Sequence, residues 1–334
     1  MDLTIQSIQY HFYRFAFREP FQTALGILSH REGFVIEIRD RQNWIGLGEA
    51  APLVGFRMES LAETEEVLQG FQRSLINTEI KSLKDIENLL KTYDRTPAAK
   101  HGIELALLNL LAQSQELTLA QLLANSCNGK VRSQVPVNAV MGAIAPDLAA
   151  TKAQAYIEQG YRCLKIKAGT QDFKSDWQRV AAVRSHVGND IQIRIDANQG
   201  WSVAEAIANL KRLEFLHIEY VEQPVAAADL AGMAEVRRSQ SIPIAADESV
   251  NNLAQLQRVI QTQAADIIIL KPMALGGILT AHHAALIALQ SGLDVVVTTT
   301  IDGAIARQAA FDLAAALPIQ RACGLATAHL LVSQ

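Results

Sequence analysis

Hydrophobic positions in the first forty residues recur largely with period two. Leu3, Ile5, Ile8 and Tyr10, and later Phe34, Ile36 and Ile38, put apolar side chains on one face of an extended chain and predict strands of an antiparallel meander. Between them a loop is expected from Pro20 to Arg31. A second loop is expected from Gly46 to Met58, where Gly46, Gly48, Pro52 and Gly55 punctuate the chain. The spacing then becomes helical: Ile103, Ala106, Leu107, Leu110 and Leu111 form one apolar stripe. Residues 1–125 therefore read as an α+β module.

From about residue 130 short apolar runs alternate with amphipathic helices. The runs are Val135–Met141, Arg162–Lys167, Ile191–Asp196, His217–Glu222, Ile242–Asp247, Asp266–Lys271, Leu293–Thr298 and, more weakly, Ala322–Ala326. The helices between them have readable ends. Pro146 and Gly160 bracket one, Gly188 closes another, Ser202 with Glu205 forms a capping box, and Gly292 ends a later one. Eight strands joined by seven helical crossovers describe a barrel of parallel strands. An open doubly wound sheet would want a glycine-rich phosphate turn after its first strand, and Met141-Gly142-Ala143-Ile144 lacks that fingerprint. The barrel spans 126–318, and 319–334 supply the last strand and a return to the N-terminal module.

Composition fits a well-filled core: of 334 residues, 49% are hydrophobic and 19% charged. The net charge of −4 is spread over both signs without a basic cluster, so nucleic acid is not an expected partner. The longest apolar runs, such as Ala264–Leu270, fall far short of the roughly 20 residues of a membrane span. No secretory leader is expected from an N-terminus that carries Asp2 and alternates polar with apolar positions. Cys127, Cys163 and Cys323, odd in number and widely spaced, read as reduced thiols of a cytoplasmic protein.

In such a barrel the chemistry gathers at the C-terminal ends of the strands. The second strand ends in Lys165-Ile166-Lys167, the third in Asp196, the fourth in Glu222, the fifth in Asp247 and the sixth in Lys271, one crossover apart each time. Charges that end apolar runs are costly to bury unless paired or bound to a metal. Any one of them alone would suit a strand-end ion pair; six in register favour a site. Three adjacent carboxylates offer oxygen ligands suited to Mg²⁺. Lysines on strands two and six stand on opposite sides of the ring, and period two aims Lys165 and Lys167 inward together. That arrangement can remove a proton next to a carboxylate while the metal stabilises the enediolate, with burial and neighbouring positive charge lowering a lysine pKa.

Other positions are weaker. Arg194 shares the inward face of Asp196 and either pairs with a carboxylate or lines the substrate site. Thr298 and Thr300, with Thr299 between them, are candidate substrate-binding hydroxyls, although β-branched residues are also plain strand formers. His282-His283 is expected on a solvated helix face. Gly276-Gly277 suits a turn needing positive φ as well as a ligand contact. A Schiff-base lyase using Lys167 or Lys271 would have no use for three acids. A non-catalytic binding barrel would not need the lysines.

The Lys-x-Lys strand, Asp196-Ala197-Asn198, Glu222-Gln223-Pro224, Asp247-Glu248-Ser249 and Lys271-Pro272 together resemble the enolase superfamily, muconate-lactonizing subgroup, over nearly the whole chain. Gly48-Glu49-Ala50-Ala51-Pro52-Leu53 and the helix Ile103–Leu111 resemble that family's capping domain. The resemblance implies an α/β fold: a (β/α)7β TIM-like barrel under an N-terminal α+β capping domain (1–125) whose two mobile loops close over the mouth. Within the subgroup, Leu270–Gly277, Thr298-Thr299-Thr300-Ile301 and Cys323-Gly324-Leu325-Ala326-Thr327 resemble o-succinylbenzoate synthases. These lyases dehydrate 2-succinyl-6-hydroxy-2,4-cyclohexadiene-1-carboxylate in menaquinone and phylloquinone synthesis. The resemblance implies Mg²⁺ on Asp196, Glu222 and Asp247. It makes Lys167 the base and then the acid, Lys271 the electrostatic partner across the enolate, and Lys165 a support near the substrate carboxylate. The implied partner is a small-molecule carboxylate, and barrels of this type often form homo-oligomers. Many relatives carry Glu where this chain has Asp302. Dipeptide epimerases carry an Asp-x-Asp near strand eight where this chain has Gly324-Leu325-Ala326-Thr327. N-succinylamino acid racemisation is the first alternative, ahead of dipeptide epimerisation and muconate cycloisomerisation.

Overall fold

The computed structural model describes residues 3–23, 26–53, 56, 58–169 and 172–332. An antiparallel sheet of order β3-β2-β1-β4 comes first, built from β1 (Leu3–Thr23), β2 (Gly26–Asp40), β3 (Ile45–Ala50) and β4 (Glu79–Ile80). The expected loop from Pro20 to Arg31 is instead mostly paired ribbon: Phe15 faces Arg31, Ala16 faces His30, and after a register shift Gln22 faces Ile27. Backbone hydrogen bonds extend the strands through polar residues that lack the alternation by which strands are recognised. The second expected loop is also partly strand, because Gly46 and Gly48 are there for close packing. A Cβ at either would lie 2.0 or 1.9 Å from a carbonyl oxygen of the helix behind, that of Ala106 or Gly102.

That helix is α3 (Pro97–Ser114), which follows α1 (Leu61–Ser74) and α2 (Leu83–Leu90) and precedes α4 (Leu119–Ser126). Its expected stripe is buried, and so are Ala98, Ala99, Leu105 and Leu108 around it. The helix is enclosed because it lies between the cap sheet and the barrel helices.

Seven parallel strands follow in the order β11-β10-β9-β8-β7-β6-β5, each beside its neighbour in sequence. They alternate with helices: β5 (Ala139–Met141), α5 (Pro146–Glu158), β6 (Cys163–Lys167), α6 (Phe173–Val187), β7 (Gln192–Asp196), α7 (Val203–Leu213), β8 (Ile218–Glu222), α8 (Leu230–Arg238), β9 (Ile244–Ala246), α9 (Leu253–Thr262), β10 (Ile267–Leu270), α10 (Pro272–Leu275), α11 (Ile278–Gln290), β11 (Asp294–Val297) and α12 (Ala304–Ala316). The weak eighth run contributes two parallel bridges, Val137 to Cys323 and Thr298 to Gly324, which join the two edges of the curled sheet. The Ser202–Glu205 capping box is formed, and Gly160, Gly188 and Gly292 take positive φ at helix ends. Near the C-terminus Leu331 bridges back to Phe17 of β1.

All three cysteines are free. His282 departs from the expected solvated face: it is buried at 2% exposure, while the His283 side chain is about half exposed. Among the described residues no helix is long and apolar enough to cross a membrane.

Candidate active site

Strand register assembles the site. Lys167 on β6 pairs with Asp196 on β7, which pairs with Glu222 on β8, so three charged groups end one rung of the sheet. Asp247 and Lys271 follow directly after β9 and β10 and continue the same rim. The ladder consumes the backbone polar groups, leaving the side chains to converge at the strand ends.

Lys165 Nζ donates to Glu222 Oε1 at 2.6 Å and stands 2.8 Å from Asp196 Oδ2. Lys167 Nζ donates to the same Asp196 oxygen at 2.6 Å and to Asn198 Oδ1 at 2.7 Å. On the far side Lys271 Nζ donates to Asp247 Oδ2. Asn198 passes the network on, donating to Glu248 Oε1 at 3.0 Å. Gln223 holds Asp247 from behind, its Oε1 accepting from the Asp247 N–H at 3.1 Å and from the Ser249 N–H at 3.2 Å.

Burial would raise the Asp196 carboxyl, but the flanking Lys165 and Lys167 ammoniums outweigh it and hold the group well below its ordinary range. Glu222 is pushed up to about 8, first by burial and then by the nearby Asp196 charge. Burial likewise raises Asp247, against the pull of Lys271. Lys165 goes opposite to the expected lowering: the Asp196 and Glu222 charges outweigh its burial and raise it well above the ordinary lysine value.

Among the described residues no three acid, His or Cys side chains are grouped closely enough to enclose an ion, and each of the three carboxylates has an oxygen on a lysine. Their chemistry nonetheless fits a hard divalent cation. All three are oxygen donors from adjacent strand ends, and Glu222 Oε2 is buried without a hydrogen-bond partner.

The site opens into a cavity of about 200 Å³. Its floor carries Lys165, Lys167, Asp196, Asn198 and Lys271, and the cap contributes Ile27, Leu28, Leu53 and Phe56. Thr298, Thr299, Thr300, Ile301, Gly324 and Thr327 form one wall. Thr298 and Thr300 therefore lie where substrate contacts were expected, although their hydroxyls already donate, to the Gly324 carbonyl at 3.0 Å and to Asp302 respectively. For Arg194 the substrate contact is corrected to the other of its two expected roles, a carboxylate pair: it does not line the cavity. It sits two residues before Asp196, paired in register with Lys165, fully buried. There it donates to Glu219 Oε2 at 2.6 Å and to the Ala322 carbonyl at 2.6 Å, and its guanidinium stacks 4.7 Å from the Tyr220 ring centroid. Its row is that of Lys165, which does reach the cavity; what differs is that the guanidinium turns to Glu219. Gly276 and Gly277 serve a positive-φ turn outside the cavity, where a Cβ on Gly277 would meet the Glu104 carboxylate at 2.3 Å.

Phe56 also joins the site, its ring centroid 4.0 Å from Lys271 Nζ. No local signal marks that contact, which spans cap and barrel. Asn198 did have a signal: it lies two residues beyond Asp196.

Residues 148–331 match the family described as Enolase C-terminal domain-like, and residues 7–110 match MenC, N-terminal domain. The chain is 30% identical to an N-succinyl-L-Arg/Lys racemase of Bacillus cereus over 93% of this chain and 84% of that protein. It is 41% identical to an o-succinylbenzoate synthase of Thermobifida fusca over 60% of this chain and 62% of that one. A dipeptide epimerase of Enterococcus faecalis, solved with Mg and the dipeptide L-Leu-L-Tyr, superposes with a TM-score of 0.92 at 30% identity, over 99% of this chain and 92% of that one.

Proposed function

The chain belongs to the enolase superfamily, and from that premise we propose that it is a Mg²⁺-dependent o-succinylbenzoate synthase, a carbon–oxygen lyase acting on a small dicarboxylate. One observation carries this reading over epimerisation of dipeptides. Asp196 is the one acid among the described residues lining the cavity, and it is engaged by two lysines. The strand-eight wall offers Gly324 and Thr327, so no free carboxylate awaits the ammonium group of a dipeptide, while the apolar cap side chains suit a carbocyclic ring.

In this reading Asp196, Glu222 and Asp247 hold Mg²⁺, which supplies positive charge to a carboxylate that gains charge as its α-proton leaves. Lys167 removes that proton, breaking the C–H bond, and returns it to the departing hydroxyl, so that water leaves and the ring becomes aromatic. Lys271 remains protonated on the opposite side and stabilises the enolate electrostatically. Lys165 stands near the substrate carboxylate and orients Asp196 and Glu222. We assign 1–125 to the cap, 126–318 to the barrel and 319–334 to its last strand and the return to the cap. Three free thiols suit a reducing cytoplasm.

The test is the ultraviolet decay of the cyclohexadiene acid on adding protein, first with Mg²⁺ and then with EDTA. Rapid conversion that EDTA stops supports the reading; no conversion by a protein that binds Mg²⁺ refutes it. A second reading, N-succinylamino acid racemisation, is supported by the likeness to the Bacillus cereus racemase across nearly the whole chain. It uses the same two lysines on opposite faces and is tested by exchange of the α-proton in deuterated water.

A further inference from the structure

The turn after β11 is held from the cap. Ile301 takes a φ of 60°, a left-handed conformation that a β-branched side chain resists. Its N–H donates to Thr299 Oγ1 at 3.2 Å, and its carbonyl accepts from Arg31 Nε at 3.1 Å. Arg31 lies on β2 and is 2% exposed. Its other nitrogens donate to the carbonyls of Pro52 at 2.9 Å and Ala51 at 2.7 Å, and its Nη2 stands 3.7 Å from Asp302. One guanidinium thus ties together the cap segment that leads into Leu53 and Phe56 and the barrel turn that carries Thr300 and Ile301. Both segments line the cavity.

A second cap residue reinforces the turn. Glu49 on β3 accepts from the Gly303 N–H at 2.6 Å and the Ala306 N–H at 3.0 Å, capping α12 where Gly303 has no side chain to do so. Tyr13 donates its hydroxyl to the same carboxylate at 2.6 Å.

We propose that Arg31 is a positioning residue for substrate: it holds the Ile301 carbonyl and the Ala51–Pro52 carbonyls at a fixed separation, and so sets the width of the cavity for the part of the substrate remote from the carboxylates. The inference rests on the reading of this cavity as the substrate site. It identifies a specificity determinant that does not touch substrate and lies outside the strand-end rim. A strained turn kept by an outside donor is held only as long as that donor is present.

The experiment compares Arg31→Met, Arg31→Lys, Ile301→Gly and the double variant Arg31→Met/Ile301→Gly with the wild type. Losing a buried charged donor should raise KM about tenfold or more in Arg31→Met, with kcat changed less than about threefold, because the lysines are untouched. Arg31→Lys should not restore KM, since one ammonium cannot span three carbonyls as a planar fork does. Glycine adopts the left-handed turn unaided, so in the Ile301→Gly background Arg31→Met should raise KM far less. Equal KM increases in both backgrounds, full rescue by lysine, or a loss confined to kcat would each overturn the proposal. If the wild type does not convert the cyclohexadiene acid, that reading fails by itself. The same cycle is then read in the KM for N-succinylamino acids, followed by α-proton exchange: a KM increase in Arg31→Met that Ile301→Gly largely removes upholds the positioning role, and equal increases in both backgrounds overturn it.

Discussion

The ring of Phe56, contributed by the cap, lies over the ammonium of Lys271 at 4.0 Å from the ring centroid. A desolvated cation–π contact of this kind contributes on the order of 1–2 kcal/mol to the charged lysine. Phe56→Leu keeps an apolar side chain and removes the ring's negative face, so kcat/KM should fall about tenfold while the thermal midpoint stays within a few degrees. Steady-state kinetics on the cyclohexadiene acid decide it; unchanged values would make Phe56 a mere lid.

Lys167 sits between Asp196 and Asn198 with its ammonium in the cavity. Lys167→Ala should lower kcat by roughly a thousandfold or more while circular dichroism shows an intact fold. Turnover near the wild-type rate would remove it as the base.

Three carboxylates from adjacent strand ends, with an orphaned oxygen on Glu222, should bind Mg²⁺. The thermal midpoint is expected to rise with added Mg²⁺ and fall back with EDTA, by the equivalent of about 2.7 kcal/mol at a hundredfold excess over Kd. In Glu222→Gln most of that rise should vanish. A midpoint indifferent to both additions would count against Mg²⁺ on these residues.

Glu104 is buried in α3, accepts the Leu279 N–H at 2.9 Å, and is pushed up to about 7, chiefly by burial. An acid raised in the folded state binds its proton more tightly there than in the unfolded chain. Its stabilising contribution is therefore full below the ordinary value of 4.5, falls as pH rises towards about 7, and is gone above it. Glu104→Gln should erase that slope and be the more stable protein at about pH 8, by on the order of 2–3 kcal/mol. Urea denaturation at about pH 4.5 and about pH 8 compares the two proteins; parallel losses would refute the assignment.

Gly48→Ala places a Cβ against the Gly102 carbonyl, backbone that cannot swing aside, and should cost about 1–3 kcal/mol in chemical denaturation. Gly70→Ala in α1, with nothing within 4 Å of the new Cβ, should instead stabilise by up to about 1 kcal/mol. Equal effects of the two changes would show that helix and strand do not pack as closely as described.

The rim residues were readable because a parallel barrel turns a linear rhythm into a ring: Lys167, Asp196 and Glu222 each end an apolar run, and the register puts them on one rung. Arg194 shares the row of Lys165, which does reach the cavity. Alternation tells inward from outward but not which way along the strand a long side chain turns, and Glu219 lies close enough to claim the guanidinium. The paired ribbon of β1 and β2 leaves no pattern in the sequence, because Ser29, His30 and Arg31 satisfy no alternation, and pairing there is a matter of backbone alone. The burial of His282 is not legible, because an adjacent His pair says nothing about which ring packs inward. The grip of Arg31 on Ile301, 270 positions away, has no local trace at all.

The curled sheet is joined along one edge by single bridges rather than a full ladder. Gly324 is fixed there, since a Cβ would meet Thr298 Oγ1 at 2.3 Å, but Thr327, three residues on, borders the cavity outside any strand. Its hydroxyl shares a hydrogen bond of 3.1 Å with Thr299 Oγ1, the oxygen that also accepts from the Ile301 N–H. A substitution at Thr327 would breach no ladder, yet through Thr299 it would reach the turn that Arg31 grips, so the seam that closes the barrel also shapes the cavity wall.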